Sequence, residues 1–279
     1  MDSLIRRISA WDGLPIHVRT WDGDPDRTPI LCLPGLVRTG GDFESVIAAI
    51  ADGRRAISLD YPGRGDSGWP RDLSRCSPEA CMTDVLDICA ALHVHRALVI
   101  GTSFGGLMAM GLAAARPSLV RAVVLNDIGP DIGTEGAGFV RDFVGFDPAF
   151  PSLEACIDLL RERLPPLSLQ TDEDWRNMAE LTYRRGSDGR FHPLWDTRLT
   201  AMMSETARDL WPLWRALAHA PVLLIRGGVS DLLLPETVVR MQIERPDMQV
   251  VTVPEVGHTP TLTEPVSLAA IRAFAEAHA

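Results

Sequence analysis

Ser103 stands in Gly101-Thr102-Ser103-Phe104-Gly105, directly after the apolar run Ala97 to Ile100 and directly before the small-residue stretch Gly106 to Gly111. A serine at the join of a strand and a helix, flanked by glycines that permit a tight turn, presents its hydroxyl at the strand's carboxyl end. Backed by a base, such a hydroxyl attacks acyl carbons. The pentapeptide alone fits an ordinary turn equally well, so its partners decide.

Histidine is the side chain whose unperturbed pKa suits a base near neutrality. In a parallel sheet, functional groups gather at the carboxyl ends of the strands. Of the seven histidines, His93, His95 and His219 precede the strands they adjoin. His17 falls in an N-terminal hairpin, His192 in an irregular interval and His278 in the tail, whereas His258 follows the apolar run ending at Val253. His258 is therefore the candidate base. An acid must hold its tautomer, and Asp60, Asp127 and Asp231 each follow a strand-like run. Asp231, in the loop Arg226 to Asp231, is the favoured acid and Asp127 its competitor. Asp60 opens a glycine-rich turn and is expected to accept backbone hydrogen bonds.

Composition removes other chemistries. All 27 basic residues are arginine, so Schiff-base and P-loop lysines are absent. A net charge of −10, with no arginine run interleaved with aromatics, argues against a nucleic-acid partner. No segment approaches the roughly 20 apolar residues of a membrane span. The charged N-terminus shows no signal peptide, and the five cysteines form no C-x-x-C pair, so a cytoplasmic chain with buried free thiols is expected. His93-x-His95 offers too few ligands for a metal, and no metal or cofactor is expected. Gly63-Arg64-Gly65-Asp66-Ser67-Gly68 satisfies G-x-G-x-x-G, yet Trp69-Pro70 stands next where a dinucleotide fingerprint must open a helix. That segment is expected to shape a wall near the site.

The elements that must position these residues can be read from periodicity. Leu4 to Ala10 and Leu14 to Thr20 alternate around Asp12-Gly13, a hairpin signal. Strands are predicted at Ile30 to Leu33, Ala56 to Leu59, Ala97 to Ile100, Ala122 to Leu125, Val222 to Ile225 and Gln249 to Val253. Helices are predicted around Phe43 to Ala51, Ser77 to Leu92, after Ser103, near Glu236 to Ile243 and near Pro265 to Glu276. Alternating strands and helices imply an α/β fold, a mostly parallel central sheet with helices on both faces. Residues 130–211 break the rhythm with prolines, phenylalanines and helical periodicity at Leu153 to Leu164 and Asp172 to Tyr183. They are predicted to form a helical cap over a core made of residues 1–129 and 212–279. Phe143, Trp175 and Trp195 of that cap are candidate substrate contacts. The arginines Arg141, Arg176, Arg184, Arg185 and Arg198 could orient a carboxylate, although a solvated face is the simpler reading.

Taken together, Leu33-Pro34-Gly35-Leu36, Asp60 to Gly68, Gly101 to Gly106, and Asp231 with His258 resemble the α/β-hydrolase superfamily in order and context, in a branch of capped small-molecule serine hydrolases. The resemblance implies an oxyanion hole formed by the backbone amides of Leu36 and Phe104; Pro34 departs from the histidine many relatives carry. It also implies a serine hydrolase acting through an acyl-enzyme on a small ester or lactone. Cleavage of a carbon-carbon bond in a ring-cleavage diketone would use the same residues, with Thr102 where that group commonly has asparagine. A ligand receptor retaining the fold is the non-enzymatic alternative.

Overall fold

Alternation around Asp12-Gly13 produces an antiparallel pair, Leu4–Ser9 (β1) and Pro15–Trp21 (β2), with Ile8 opposite Ile16. The computed structural model describes residues 3–203 and 209–279. Four short runs continue the sheet: Ile30–Leu33 (β3), Ala56–Leu59 (β4), Ala97–Thr102 (β5) and Val120–Asn126 (β6). Their connections carry Glu44–Ile50 (α1), Pro78–Ala91 (α2) and Phe104–Ala115 (α3). Ser77 caps α2 by accepting from the Ala80 amide, and Pro78 fills the first turn, where no amide partner is needed.

An inserted segment then leaves the sheet. It runs through Thr134–Val144 (α4), Leu153–Arg163 (α5), Asp172–Glu180 (α6), Tyr183–Arg185 (β7), Phe191–Pro193 (β8) and a 3-10 turn at Thr197–Met202. Residues 204–208 of the expected cap lie outside the described residues. The segment has its own core, including Phe143, Leu160, Tyr183 and Trp195. One detail differs from the helical expectation: Tyr183 leaves α6 and pairs with Pro193 in a small antiparallel ribbon. The turn Gly186-Ser187-Asp188-Gly189 closes it, with Gly189 at φ +82, a conformation glycine adopts freely.

The chain returns to the sheet through Trp211–Ala216 (α7), Val222–Gly227 (β9), Pro235–Glu244 (α8), Gln249–Val253 (β10) and Pro265–His278 (α9). The eight strands of the main sheet lie in the order β1-β2-β4-β3-β5-β6-β9-β10, parallel from β4 onward. Successive side chains alternate between faces. Leu31, Leu33, Val99, Val123 and Leu125 join one apolar layer with Val85 of α2, Met108 of α3 and Trp214 of α7. Ile30, Cys32, Leu98, Ile100 and Val124 join the other with Ile47 of α1 and Ile271 of α9. Burying each such aliphatic side chain contributes roughly 1.5–3 kcal/mol.

Ladder register sets where the loops leave the sheet. Leu33 pairs with Gly101, Thr102 with Asn126, Asn126 with Ile225, and Gly227 with Val253. The residues after each of these strands therefore emerge side by side along one sheet edge.

All five cysteines are free and buried, and burial pushes the Cys81 and Cys89 thiols up to about 12. Only about one thiol in ten thousand would then be ionised near pH 8. Iodoacetamide should leave the intact mass of the native protein unchanged at that pH and add five adducts in denaturant; native-state alkylation would contradict this packing.

Candidate functional site

Ser103 lies between β5 and α3 at φ +50 and ψ −115, a left-handed backbone costing a non-glycine residue roughly 1–3 kcal/mol. The surroundings hold it there. A Cβ at Gly101 would run into the Gly105 carbonyl, and one at Gly105 would run into the Leu33 carbonyl. These approaches press the first turn of α3 against the β3 loop, leaving Ser103 half-buried at the strand end.

His258 comes from the loop after β10. Its Nε2 lies 2.9 Å from Ser103 Oγ and its Nδ1 2.7 Å from Asp127 Oδ2. Backbone contacts hold that loop: Gly257 N donates to Pro166 O at 2.7 Å, and Val229 N to Val256 O at 3.0 Å. Asn126 Nδ2 donates both to Pro260 O at 2.9 Å and to Thr102 Oγ1 at 3.2 Å, tying the histidine loop to the residue before the serine.

The position of the acid corrects the expectation of Asp231. Asp127, directly after β6, is fully buried and adopts φ +53, which turns its carboxylate toward β9. Its Oδ1 accepts from Gly227 N at 2.9 Å, and its Oδ2 accepts from Ser230 Oγ at 2.6 Å beside His258. Asp231 is exposed. The reason is the turn after β9: Ser230 Oγ accepts from the amides of Leu232 and Leu233 at 3.3 and 3.2 Å, so position 230 points inward and the next residue outward. Sequence reasoning also passed over Ser230 and Asn126. The available signal was an Asn-Asp pair closing an apolar strand, since aspartate tolerates the left-handed region better than most residues.

Phe104 follows Ser103 at the start of α3, and Leu36 lies in the loop after β3, whose strand Gly105 approaches at the Leu33 carbonyl. Phe104 begins α3, so its N–H has no intrahelical acceptor, and the Leu36 N–H has none among the described hydrogen bonds. Two free donors near a nucleophile can bind a developing oxyanion.

The cap aromatics expected at the site instead pack within the cap. Trp195 is 1% exposed, donates Nε1 to Val144 O at 2.8 Å and stacks on Phe143 at 5.5 Å. Trp175 is half-buried beneath the Arg161 guanidinium, 5.5 Å away. Aromatic volume in this segment went to giving a small insertion its own core. Leu36 and Val140 pack against both the cap core and the main core and form the apolar junction between them, which sequence reasoning did not single out. Of the cap arginines, Arg184 holds Asp66 at 2.7 Å and Arg198 holds Asp196.

The glycine-rich turn packs beneath this junction. Asp60 Oδ1 accepts from Gly40 N at 2.8 Å and Oδ2 from Asp66 N at 3.0 Å, so its carboxylate shapes backbone. His17, Asp60 and Asp66 form the one group among the described residues whose three ligand atoms lie close enough together to share a metal ion. Arg19 and Arg184 already neutralise its two carboxylates, which leaves no excess negative charge for a cation.

The α/β-hydrolase family matches residues 30–271. A 3-hydroxybutyrate-oligomer hydrolase from Cupriavidus necator is 34% identical over 259 residues, covering 88% of each chain. A 2-(acetamidomethylene)succinate hydrolase from Mesorhizobium japonicum is 30% identical over 89% of this chain and 88% of its own. Among solved structures, an α/β hydrolase from Novosphingobium aromaticivorans superposes with a TM-score of 0.92 at 36% identity, covering 98% of both chains.

Exchanging the acids tests the geometry. Asp127→Asn is expected to lower turnover by up to about 10⁴-fold through the wrong histidine tautomer, while Asp231→Asn stays within about twofold, as an exposed group outside the network. Steady-state rates of the two folded variants decide it; the reverse ranking would refute the assignment.

Proposed function

The chain belongs to the α/β-hydrolase family and is a hydrolase, and on that premise we propose that it is a serine hydrolase cleaving small carboxylic esters or lactones through an acyl-enzyme. The observation that carries this reading is the continuous chain of contacts from Ser103 Oγ through His258 to the buried Asp127 carboxylate. His258 Nε2 accepts the Ser103 proton as Oγ bonds to the carbonyl carbon. The carbonyl oxygen becomes anionic and takes the Leu36 and Phe104 amides. The intermediate then collapses, the ester C–O bond breaks, and the imidazolium returns its proton to the departing alkoxide. Water enters, loses a proton to His258 and attacks the acyl carbon, and Ser103 leaves with that proton as the carboxylic acid is released. The Asp127 carboxylate holds Nδ1–H and stabilises the imidazolium.

The 3-hydroxybutyrate-oligomer hydrolase relative supports a narrower substrate class, esters joining short hydroxy acids. The cap fits such a role. It touches the histidine loop at Pro166, the loop after β3 through the Arg38–Thr182 bond of 2.6 Å, and the glycine-rich turn through Leu194. Groups remote from the scissile carbonyl would meet it, and such contacts set selectivity.

A phosphonylating probe should modify Ser103, and Ser103→Ala should abolish labelling and reduce turnover by on the order of 10⁶-fold. Undiminished labelling of the folded variant would falsify the nucleophile. With a panel of p-nitrophenyl acetate, a lactone and a hydroxybutyrate dimer, turnover of the dimer well above the simple ester is expected; equal or lower turnover of the dimer would remove the narrower class. EDTA should leave the rate unchanged, and loss restored by a divalent metal would overturn the metal-free mechanism.

A further inference from the structure

Arg64 is the middle residue of Gly63-Arg64-Gly65, a turn with no part in that reaction. Its side chain is among the largest fully buried in the molecule, 1% exposed. Taking a guanidinium out of water costs several kcal/mol unless a partner compensates it. No carboxylate among the described residues lies within ion-pair distance of it. Asp60 is engaged by Arg19 and two backbone amides, and Asp196 by Arg198. The surroundings of Arg64 are carbonyl oxygen and aromatic face. Nε donates to Leu36 O at 2.7 Å and Nη1 to Pro62 O at 2.7 Å. The guanidinium carbon sits 5.7 Å from the Tyr61 ring centre and 5.8 Å from that of Phe104.

Two of those partners are Leu36 and Phe104, whose amides the proposed reaction gives to the developing oxyanion. The charge therefore bears on Leu36 through its carbonyl and on Phe104 through its ring. It cannot swing away: Gly65 N donates to Leu194 O at 2.7 Å, Asp196 N donates to Gly63 O at 2.9 Å, and Arg64 N donates to Tyr61 O at 3.1 Å. Arg38, the other arginine beside the loop, is neutralised by Asp42 at 2.6 and 2.7 Å. Arg64 has no such close carboxylate partner, and its charge reaches Asp196 only over a longer distance.

We propose that Arg64 is an electrostatic positioning residue of the Leu36–Phe104 oxyanion site, its buried charge favouring an anionic tetrahedral adduct on Ser103 over the neutral planar ester. This rests on the serine-hydrolase reading. A fixed charge in a low-dielectric wall acts on the anionic adduct far more than on a neutral ester, because water cannot screen it. It should appear in kcat and in the affinity of a charged adduct, and leave KM almost untouched.

The test uses phenylboronic acid, which forms a negatively charged tetrahedral adduct with a serine oxygen, alongside ester kinetics. Arg64→Gln and Arg64→Met remove the charge, the second with an apolar side chain of similar length that suits a buried position. Both are expected to bind the boronate about 10–100-fold more weakly and to lose kcat to a similar degree, with KM within about threefold. Arg64→Lys keeps the charge and should retain boronate affinity within about fivefold of wild type. If the folded neutral variants bind the boronate as wild type does, or if Arg64→Lys loses as much as Arg64→Gln, the proposal is overturned. Wild-type protein unaffected by the boronate would instead overturn the serine-hydrolase reading itself.

Discussion

The carboxylate of Asp127 is a charge with no access to water, and the surrounding structure has to supply what water would. It receives a backbone amide from Gly227, a hydroxyl from Ser230 and the imidazole of His258. Those donors belong to the end of β9, to the turn beyond it and to the loop after β10. They converge because β6, β9 and β10 are consecutive neighbours in register. Removing any one leaves an acceptor short in a low-dielectric interior, where an unmade hydrogen bond costs about 1–3 kcal/mol. The carboxylate thus couples the sheet's register to the orientation of the histidine.

Backbone proximity does the rest of the positioning. A Cβ at Gly227 would run into the Gly257 carbonyl, so the end of β9 and the histidine loop lie in direct main-chain contact. The same device brings Gly105 of α3 onto the Leu33 carbonyl, which aligns the free Phe104 amide with the loop carrying Leu36. Side chains at these positions would push the loops apart and misplace donors whose value depends on fractions of an ångström.

The inserted segment is stitched to the core through polar contacts and through apolar packing on Leu36, Val37 and Cys76. Pro166 accepts from Gly257, and Ser168 donates to Glu264 at 2.5 Å. Burial pushes the Glu264 carboxyl up, but hydrogen bonds from Ser168 and Ser267 outweigh it and hold the group below the usual range. The inserted segment is therefore tied to the stretch from Gly257 to Glu264 that carries His258, while its aromatic residues Phe143 and Trp195 pack in its own core.

Local signals in the chain were sufficient for the α/β architecture. Each apolar run was short, carried at least one β-branched residue and was bounded by turn residues, and Ser77-Pro78 marked a helix start that needs no tertiary information. Ser103 and His258 were legible for a similar reason. The glycines around Ser103 and the place of His258 beyond the last strand are matters of chain order, which periodicity reveals. The acid was not legible. Asp127 and Asp231 both come after strands at the same edge, and choosing between them depends on which way one turn directs successive side chains. The burial of Phe143 and Trp195 inside the inserted segment, and that of Arg64 without a close carboxylate, depend likewise on neighbours far away in sequence. Residues within a few positions of one another fix strands, helices and turns; which side chain meets which across the sheet edge is decided only when packing closes, because a rotation of one residue exchanges inside for outside.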